Sequence, residues 1–443
     1  MSSDSGTDYR VPLYTKRIIR LTLVVSILAI GVSGNSTFVA LGFAICAVLV
    51  RLHLLRITQI MAKASRGLRF RRAMLDPNIA SARLAFHFSA VDLPRPDHVS
   101  AWEAALNETG LPWFVIVREC HHLDAFRANA GPPAIFVQSL TELANSVPPA
   151  VKAVFYANNA QKNRKMLAAF PQLTHVQLLH GDSDKPPSFS PLTKNYHRVF
   201  VAGQMAIDRY AHHGVHIPKD RFRIVGRPQV QALKPAARGV GAVRKQVLYM
   251  PTWRGFFEDT QLSSLDRAAR IIASVPKASG VELTFKPHSM SYKDPHWPAF
   301  ERVIRAALAD CGGRYCATTA PVFDLYNVAD VLITDISSVM IDFLYTGKPF
   351  LTVLPQGFAA TQAGDYPSLA AAYQVQPDLA DICAQLGHAL GDDPMKTARA
   401  KVQAYAFGDI GQPPGAAFRA ACHELLAPEL VQPVRTPKQK VSI

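Results

Sequence analysis

Acidic residues are scarce where the basic ones crowd. Residues 1–72 hold 11 Lys/Arg against two Asp, and residues 429–443 hold three Lys/Arg against one Glu. Of the net charge of +15, only +4 is left for residues 73–428, an ordinary balance for an α/β core. Basic flanks beside an apolar run point to anionic lipid headgroups first and to an anionic substrate second. No basic stretch is interleaved with aromatics as single-strand binders require, which sets nucleic acid aside as a partner. Cysteine is sparse too. Cys46, Cys120, Cys311, Cys316, Cys383 and Cys422 form no CxxC pair, and no His cluster at ligand spacing sits near Cys311 and Cys316. This argues against a structural zinc and a disulfide scaffold. Buried, reduced thiols in contact with the cytoplasm are expected instead. There is no internal repeat and no low-complexity tract.

Charge is missing altogether from the centre of the longest apolar run, Ile18 to Ile57. The run exceeds the apolar region of a signal peptide, and no small-x-small cleavage site precedes a polar mature start. Gly31 to Ser36 is turn chemistry and divides it into helices at about 18–33 and 37–55. A transmembrane helical hairpin is expected, with one kinked span or a re-entrant hairpin as alternatives. Arg10, Lys16, Arg17 and Arg20 precede the run; Arg51, Arg56, Lys63, Arg66, Arg69, Arg71 and Arg72 follow the turn. By the positive-inside rule both ends, and the body with them, face the cytoplasm from the cell membrane. Residues 1–72 are thus an anchor with a basic juxtamembrane segment.

Beyond it, 443 residues leave room for two domains. Apolar runs at Trp113–Val117, Ala134–Val137, Ala153–Tyr156, His175–Leu179 and Arg198–Val201 each precede a helical stretch, which predicts a parallel α/β sheet over 73–235. An aperiodic linker, 233–244, leads to a second such domain at 240–427, with strands at Val247–Met250, Val281–Phe285, Val331–Ile333 and Pro349–Val353. Residues 395–425 read as its closing helices and 428–443 as a disordered tail. Two such Rossmann-like domains place a ligand in the cleft outside the carboxyl ends of their strands.

The polar residues that follow those strands are therefore the candidates. His180-Gly181 ends one strand, where an imidazole facing a cleft can take a proton from a hydroxyl near neutral pH. Asp182-Ser183-Asp184 follows, and reads either as turn chemistry or as the DxD pattern that chelates a divalent ion. In the Pro251-Thr252-Trp253-Arg254 segment, Thr252 and Arg254 offer a hydroxyl and a forked cation to phosphate; a solvated Arg beside a core Trp is the bland alternative. Lys286-Pro287-His288 delivers two donors to one sheet edge. Thr334-Asp335-Ile336-Ser337-Ser338 ends a buried strand and opens a helix carrying Asp342, which reads as an anion site or as a plain Ser N-cap.

Taken together these segments resemble the CDP-glycerol glycerophosphotransferase family of teichoic acid and capsule polymerases. His180-Gly181-Asp182-Ser183 stands where that family has a His-Gly-Thr-Pro-like segment, and Pro251 to Arg254 matches its Pro-Thr-Trp-Arg. Lys286-Pro287-His288-Ser289 matches an Arg-x-His-Pro-like segment, and Asp335 to Asp342 an Asp-Tyr-Ser-Ser-x-x-x-Asp, with Gly347-Lys348-Pro349 following. A Gly-x-Pro-Arg-like segment is represented by Gly226-Arg227-Pro228, its Arg displaced. The resemblance spans roughly 150–425. It implies a GT-B fold and transfer of a polyol phosphate from a CDP carrier to an acceptor hydroxyl, on a lipid-linked or cell-wall polymer, with release of CMP. His180 is then the general base, and His288 assists at the phosphates. Gly181, Asp182, Ser183, Asp184, Arg227, Pro251, Thr252, Arg254, Lys286, Pro287, Ser337, Ser338 and Asp342 form the donor site. No resident metal or cofactor is implied. A nucleotide-sugar glycosyltransferase and a catalytically silent subunit of the same fold are the alternatives.

Overall fold

The computed structural model describes residues 36–93, 95–128, 131–233, 244–255, 262–275, 280–317, 320–408, 410, 413 and 415–427. The chain divides into two units, Met1–Leu75 and Asp76–Ile443.

Among the described residues of the first unit one helix, α1 (Ser36–Met74), runs for 39 residues. The segment Leu41–Met74 is long and apolar enough to cross a membrane. Its large apolar side chains, among them Phe43, Leu52 and Met61, are exposed. The helix was expected to stop near residue 55 but continues through the basic segment. No proline interrupts it, and Arg71 and Arg72 in the last turn complement the negative end of the helix dipole. At about 1.5 Å per residue it is nearly twice as long as a bilayer's hydrocarbon layer of about 30 Å. The other helix of the expected hairpin, 18–33, and the turn after it lie outside the described residues. Deleting residues 1–75 is expected to move the remainder into the soluble fraction with its melting transition preserved, as centrifugation and circular dichroism would show. A truncated chain without a cooperative transition would make the segment part of the fold.

The second unit holds two parallel sheets. The first contains β1 (Leu84–Phe88), β2 (Trp113–Val117), β3 (Ala134–Phe136), β4 (Ala153–Tyr156), β5 (Thr174–Gln177), β6 (Arg198–Val201) and β7 (Phe222–Ile224), in the order β3-β2-β1-β4-β5-β6-β7. The second contains β8 (Lys245–Met250), β9 (Val281–Phe285), β10 (Arg314–Tyr315), β11 (Val331–Thr334), β12 (Phe350–Val353) and β13 (Tyr373–Val375), in the order β10-β9-β8-β11-β12-β13. Both orders reverse beside the first strand of their half, between β1 and β4 and between β8 and β11. Those are the switch points at which doubly wound sheets open a crevice at their carboxyl ends. The architecture is the expected α/β GT-B arrangement of two Rossmann-like halves.

Alternation divides the second half's core between the two faces of its sheet. Val247, Tyr249, Val331 and Ile333 pack on one side, Leu248, Met250 and Leu332 on the other. Four helices bear on the site: α2 (Asp97–Asn107), α3 (Gln204–His212), α4 (Ser338–Leu344) and α5 (Ala416–Glu424). The last corrects the expected domain boundary. Phe418, Ala421 and Cys422 of α5 join the core of the first sheet, with Phe86, Phe155 and Phe200, so the last of the described helices returns to the first half.

Four strands escaped the sequence pattern: β1, β7, β10 and β13. In β1 the apolar run is broken by His87, which is buried with its Nδ1 on Asn163. The other three span two or three residues and carry Arg or Gln. Conversely β5 was expected to reach Leu179 but ends at Gln177, because Leu179 takes a left-handed φ of 58°. No cysteine forms a disulfide among the described residues, yet of the thiols expected to be buried only Cys422 is; Cys46, Cys311 and Cys316 are half-buried, and Cys120 and Cys383 are exposed. Most of the linker (234–243) and the tail (428–443) lie outside the described residues.

Candidate functional site at the facing strand ends

On the first half the site is built from the turn after β5. Leu179 is held in its left-handed conformation at both peptide groups. Its N–H donates to Gln177 Oε1 at 3.0 Å, and its carbonyl accepts from the Trp102 indole at 2.7 Å. The next residue, His180, sends its Nδ1–H to the Ala157 carbonyl beyond β4, 2.8 Å away. A carbonyl only accepts, so in the neutral ring the lone pair lies on Nε2. His180 is exposed at the surface of the crevice, although protein atoms crowd around its imidazole. This burial lowers its pKa below the ordinary value, the hydrogen bond to Ala157 opposes the shift, and the charge of Arg227 adds to it. The ring of His98, from the first turn of α2, stacks on it at 3.7 Å and 7°.

Two residues join this edge to the second half. A Cβ placed on Gly181 would sit 3.2 Å from Cβ of Ser338, so the absence of a side chain there permits the close approach. Lys185 reaches across and donates from Nζ to Thr252 Oγ1 at 3.0 Å. Burial lowers the Lys185 pKa to about 8, with Asp335 acting against the shift. Thr252 in turn donates its N–H to Asp335 at 2.8 Å, which ties the strand ends of β8 and β11 together at the switch point. Burial raises the Asp335 pKa to about 6, opposed by hydrogen bonds from Ser264 and Thr252 and by Lys185.

His288, after β9, mirrors His180. Its Nδ1 accepts the Met290 N–H at 3.1 Å, so the neutral ring carries its proton on Nε2 and is a donor. Burial, Lys185, Lys286 and His180 together push its pKa down to about 3. Lys286 is buried, and burial lowers its pKa, opposed by Cys316. Pro251 and Pro287 are buried at the turns that deliver these groups. Ser337 occupies the N-cap position of α4 but does not cap it; its hydroxyl oxygen is buried with no hydrogen-bond partner. The plain N-cap alternative is thereby excluded, and an uncommitted hydroxyl is left at the edge of the crevice.

Other expected donor ligands are committed elsewhere. Arg209 of α3, buried, takes Asp182 at 2.5 Å and Asp184 at 2.9 Å, and Asp184 also accepts the Ser368 N–H at 3.1 Å and its hydroxyl. In this structure the two carboxylates that the sequence offers to a donor or to a divalent ion are paired with Arg209. Among the described residues no group of three or more His, Cys, Asp or Glu is placed to hold a metal ion. Ser183 braces the turn through Ser188 at 3.0 Å and accepts the Lys185 N–H at 3.3 Å, so its hydroxyl is engaged within the turn that carries Lys185. Arg227 and Asp342, both assigned to the donor, are ion-paired with one another. Arg254 leans towards Asp294 at 3.6 Å and over the Phe300 ring.

The sequence motifs thus brought together are His180-Gly181, Thr252, Lys286, His288, Ser337 and Ser338. Lys185, His98 and Arg209 were missed as parts of the site. Lys185 stood immediately after the expected Asp182-Ser183-Asp184, a signal within reach. His98 and Arg209 lie in helices with nothing nearby to mark them.

Residues 215–357 match the family described as CDP-glycerol:poly(glycerophosphate) glycerophosphotransferase. The resemblance to that family is borne out over those residues, which include every site segment of the second half but not His180. No curated protein matches the chain. Among solved structures, a UDP-N-acetylglucosamine 2-epimerase matches with a TM-score of 0.50 at 13% identity, covering 78% of this chain and 95% of its own. The wall teichoic acid polymerase TagF, in a variant soaked with CDPG, matches with a TM-score of 0.49 at 15% identity over 85% and 97%. HepE from Anabaena, with UDP and glucose, matches with 0.49 at 11% identity over 77% and 98%. At 13% identity the match to the 2-epimerase bears on the fold alone.

Proposed function

From a chain whose residues 215–357 carry the CDP-glycerol:poly(glycerophosphate) glycerophosphotransferase signature, we propose a membrane-associated transferase that moves glycerol phosphate, or a related polyol phosphate, from its CDP carrier to an acceptor hydroxyl. The observation that carries this is the opposed pair of histidines. His180 presents a lone pair at Nε2 from the first half, and His288 presents an N–H at Nε2 from the second, with Lys185 and Lys286 beside it. In-line displacement at phosphorus needs a base on the attacking side and positive charge on the leaving side. His180 takes the acceptor's hydroxyl proton as its oxygen attacks the polyol-bound phosphorus. The bond to the bridging oxygen breaks, and CMP departs against Lys185, Lys286 and the His288 donor. Thr252, Ser337 and Ser338 supply neutral donors to the phosphates. A lipid-linked acceptor suits a chain with an apolar helix, and a cytoplasmic site suits the basic residues that follow it.

The test is to incubate the full chain with CDP-glycerol, CDP-ribitol or UDP-sugars and assay free nucleotide. CMP release from a CDP-polyol is expected. Nucleotide release from UDP-sugars instead would indicate a sugar transferase, and none from any donor a silent subunit. Ser337→Ala is expected to weaken CDP-polyol binding about tenfold or more, the worth of a hydrogen bond to a charged group. Its unfolding midpoint should barely move, because that hydroxyl makes no bond in the unliganded fold. Unchanged affinity by calorimetry would remove Ser337 from the site.

A further inference from the structure

His180 is not placed by its own strand. β5 ends three residues earlier at Gln177, and the turn between runs through the left-handed Leu179. A non-glycine residue at positive φ is strained and persists only where its surroundings hold it. Much of what holds it comes from α2, some 80 residues away. Trp102, nearly fully buried, donates to the Leu179 carbonyl at 2.7 Å and packs on Phe418 of α5. One turn earlier on the same helix, His98 lies flat against the His180 ring at 3.7 Å and 7°. The edge of that ring is fixed by Ala157 and its face by His98. Its free nitrogen therefore has one direction in which to point. Nδ1 of His98 is buried without a hydrogen-bond partner, so the ring is held there by contact and not by a polar bond of that nitrogen.

We infer that α2 is the positioning element of the site, with Trp102 locking the turn at Leu179 and His98 clamping the face of His180. This rests on the role proposed for His180. His98 touches no reacting atom; it acts through its neighbour. The stack also keeps water from one face of His180, and an imidazolium deprived of hydration is disfavoured. The groups that face or neighbour the ring are Arg227 with its partner Asp342, His98, and His288 with Lys185 and Lys286 behind it. Burial, followed by His180 and His122, lowers the His98 pKa to about 2, so His98 is uncharged throughout the working range and serves as a wall, not a switch.

The experiment compares His98→Leu, His98→Phe and Trp102→Phe in the full chain, reading kcat, donor KM and the titration of His180 by NMR with isotope-labelled histidine. His98→Leu removes the flat partner. Its kcat should fall towards the 10²-fold cost of a misplaced catalytic group, with donor KM unchanged and the His180 titration moved to higher pH. His98→Phe restores a flat, uncharged ring and should recover most of kcat and the original titration. Trp102→Phe loses the indole N–H and should lower kcat with donor KM unchanged. His98→Leu with the wild-type titration and kcat would overturn the inference, as would a His98→Phe no better than His98→Leu. The NMR titration needs no substrate. If no donor is ever turned over but the titration moves as stated, the proposed reaction fails and the clamp stands.

Discussion

His180→Ala is expected to abolish nearly all transfer while CDP-polyol affinity stays within a few-fold of wild type. Loss of a general base costs about 10²–10⁴ in rate, and this base acts on the acceptor while the donor lies against the other half. His288→Ala should differ, lowering donor affinity together with turnover, because its Nε2–H is aimed at phosphate. The pH dependence carries a sign. A base must be unprotonated to act, so the rate falls on the acid side as His180 gains a proton. Burial and Arg227 place that limb below the ordinary imidazole value of about 6.5, and His180 is accordingly ready at neutral pH. His288, with a pKa of about 3, stays neutral throughout and contributes no limb near neutrality. Steady-state CMP release across pH, with calorimetric donor binding, tests both variants. A His180→Ala enzyme with half the wild-type rate would remove it from the mechanism.

Arg209→Met should be the most destabilising single change near the site. It leaves Asp182 and Asp184 buried with their counter-ion gone, and breaking a buried pair costs about 3–5 kcal/mol. Asp184 also accepts from Ser368 of the second half, so the loss loosens the seam between the two halves. Denaturant unfolding should show the drop, whereas Arg209→Lys should recover only part of it, since an ammonium cannot fork to two carboxylates. Divalent ions should not rescue the Met variant. Restoration of the midpoint by Mg²⁺, lost again on adding chelator, would revive the metal reading of Asp182-Ser183-Asp184.

The pairing of Asp182 and Asp184 with Arg209 shows where local reading stops. A carboxylate-Ser-carboxylate at a strand end looks the same whether its partner is a cation from solution or a guanidinium 25 residues on. The choice was made by α3, whose packing brings Arg209 beneath the turn. Arg227 and Asp342 are a similar case, 115 residues apart and joined only because the two sheets face one another.

What the sequence by itself determined is the kind of element and its ends. Apolar runs of four or five residues between helical stretches demand parallel strands with both faces buried, and parallel strands put their following residues at one edge. Hence His180, Thr252, Lys286, His288 and Ser337 could be gathered in advance at a single cleft. Tertiary structure decided which of those groups remain free to meet a ligand. It spent Asp182, Asp184, Arg227 and Asp342 on neighbours, left the Ser337 hydroxyl without one, brought Lys185 onto Thr252, and returned α5 to the first sheet. The physical reason is range. Backbone periodicity is written in residues three or four apart, whereas a buried charge must be paired by whatever the fold carries within about 4 Å of it.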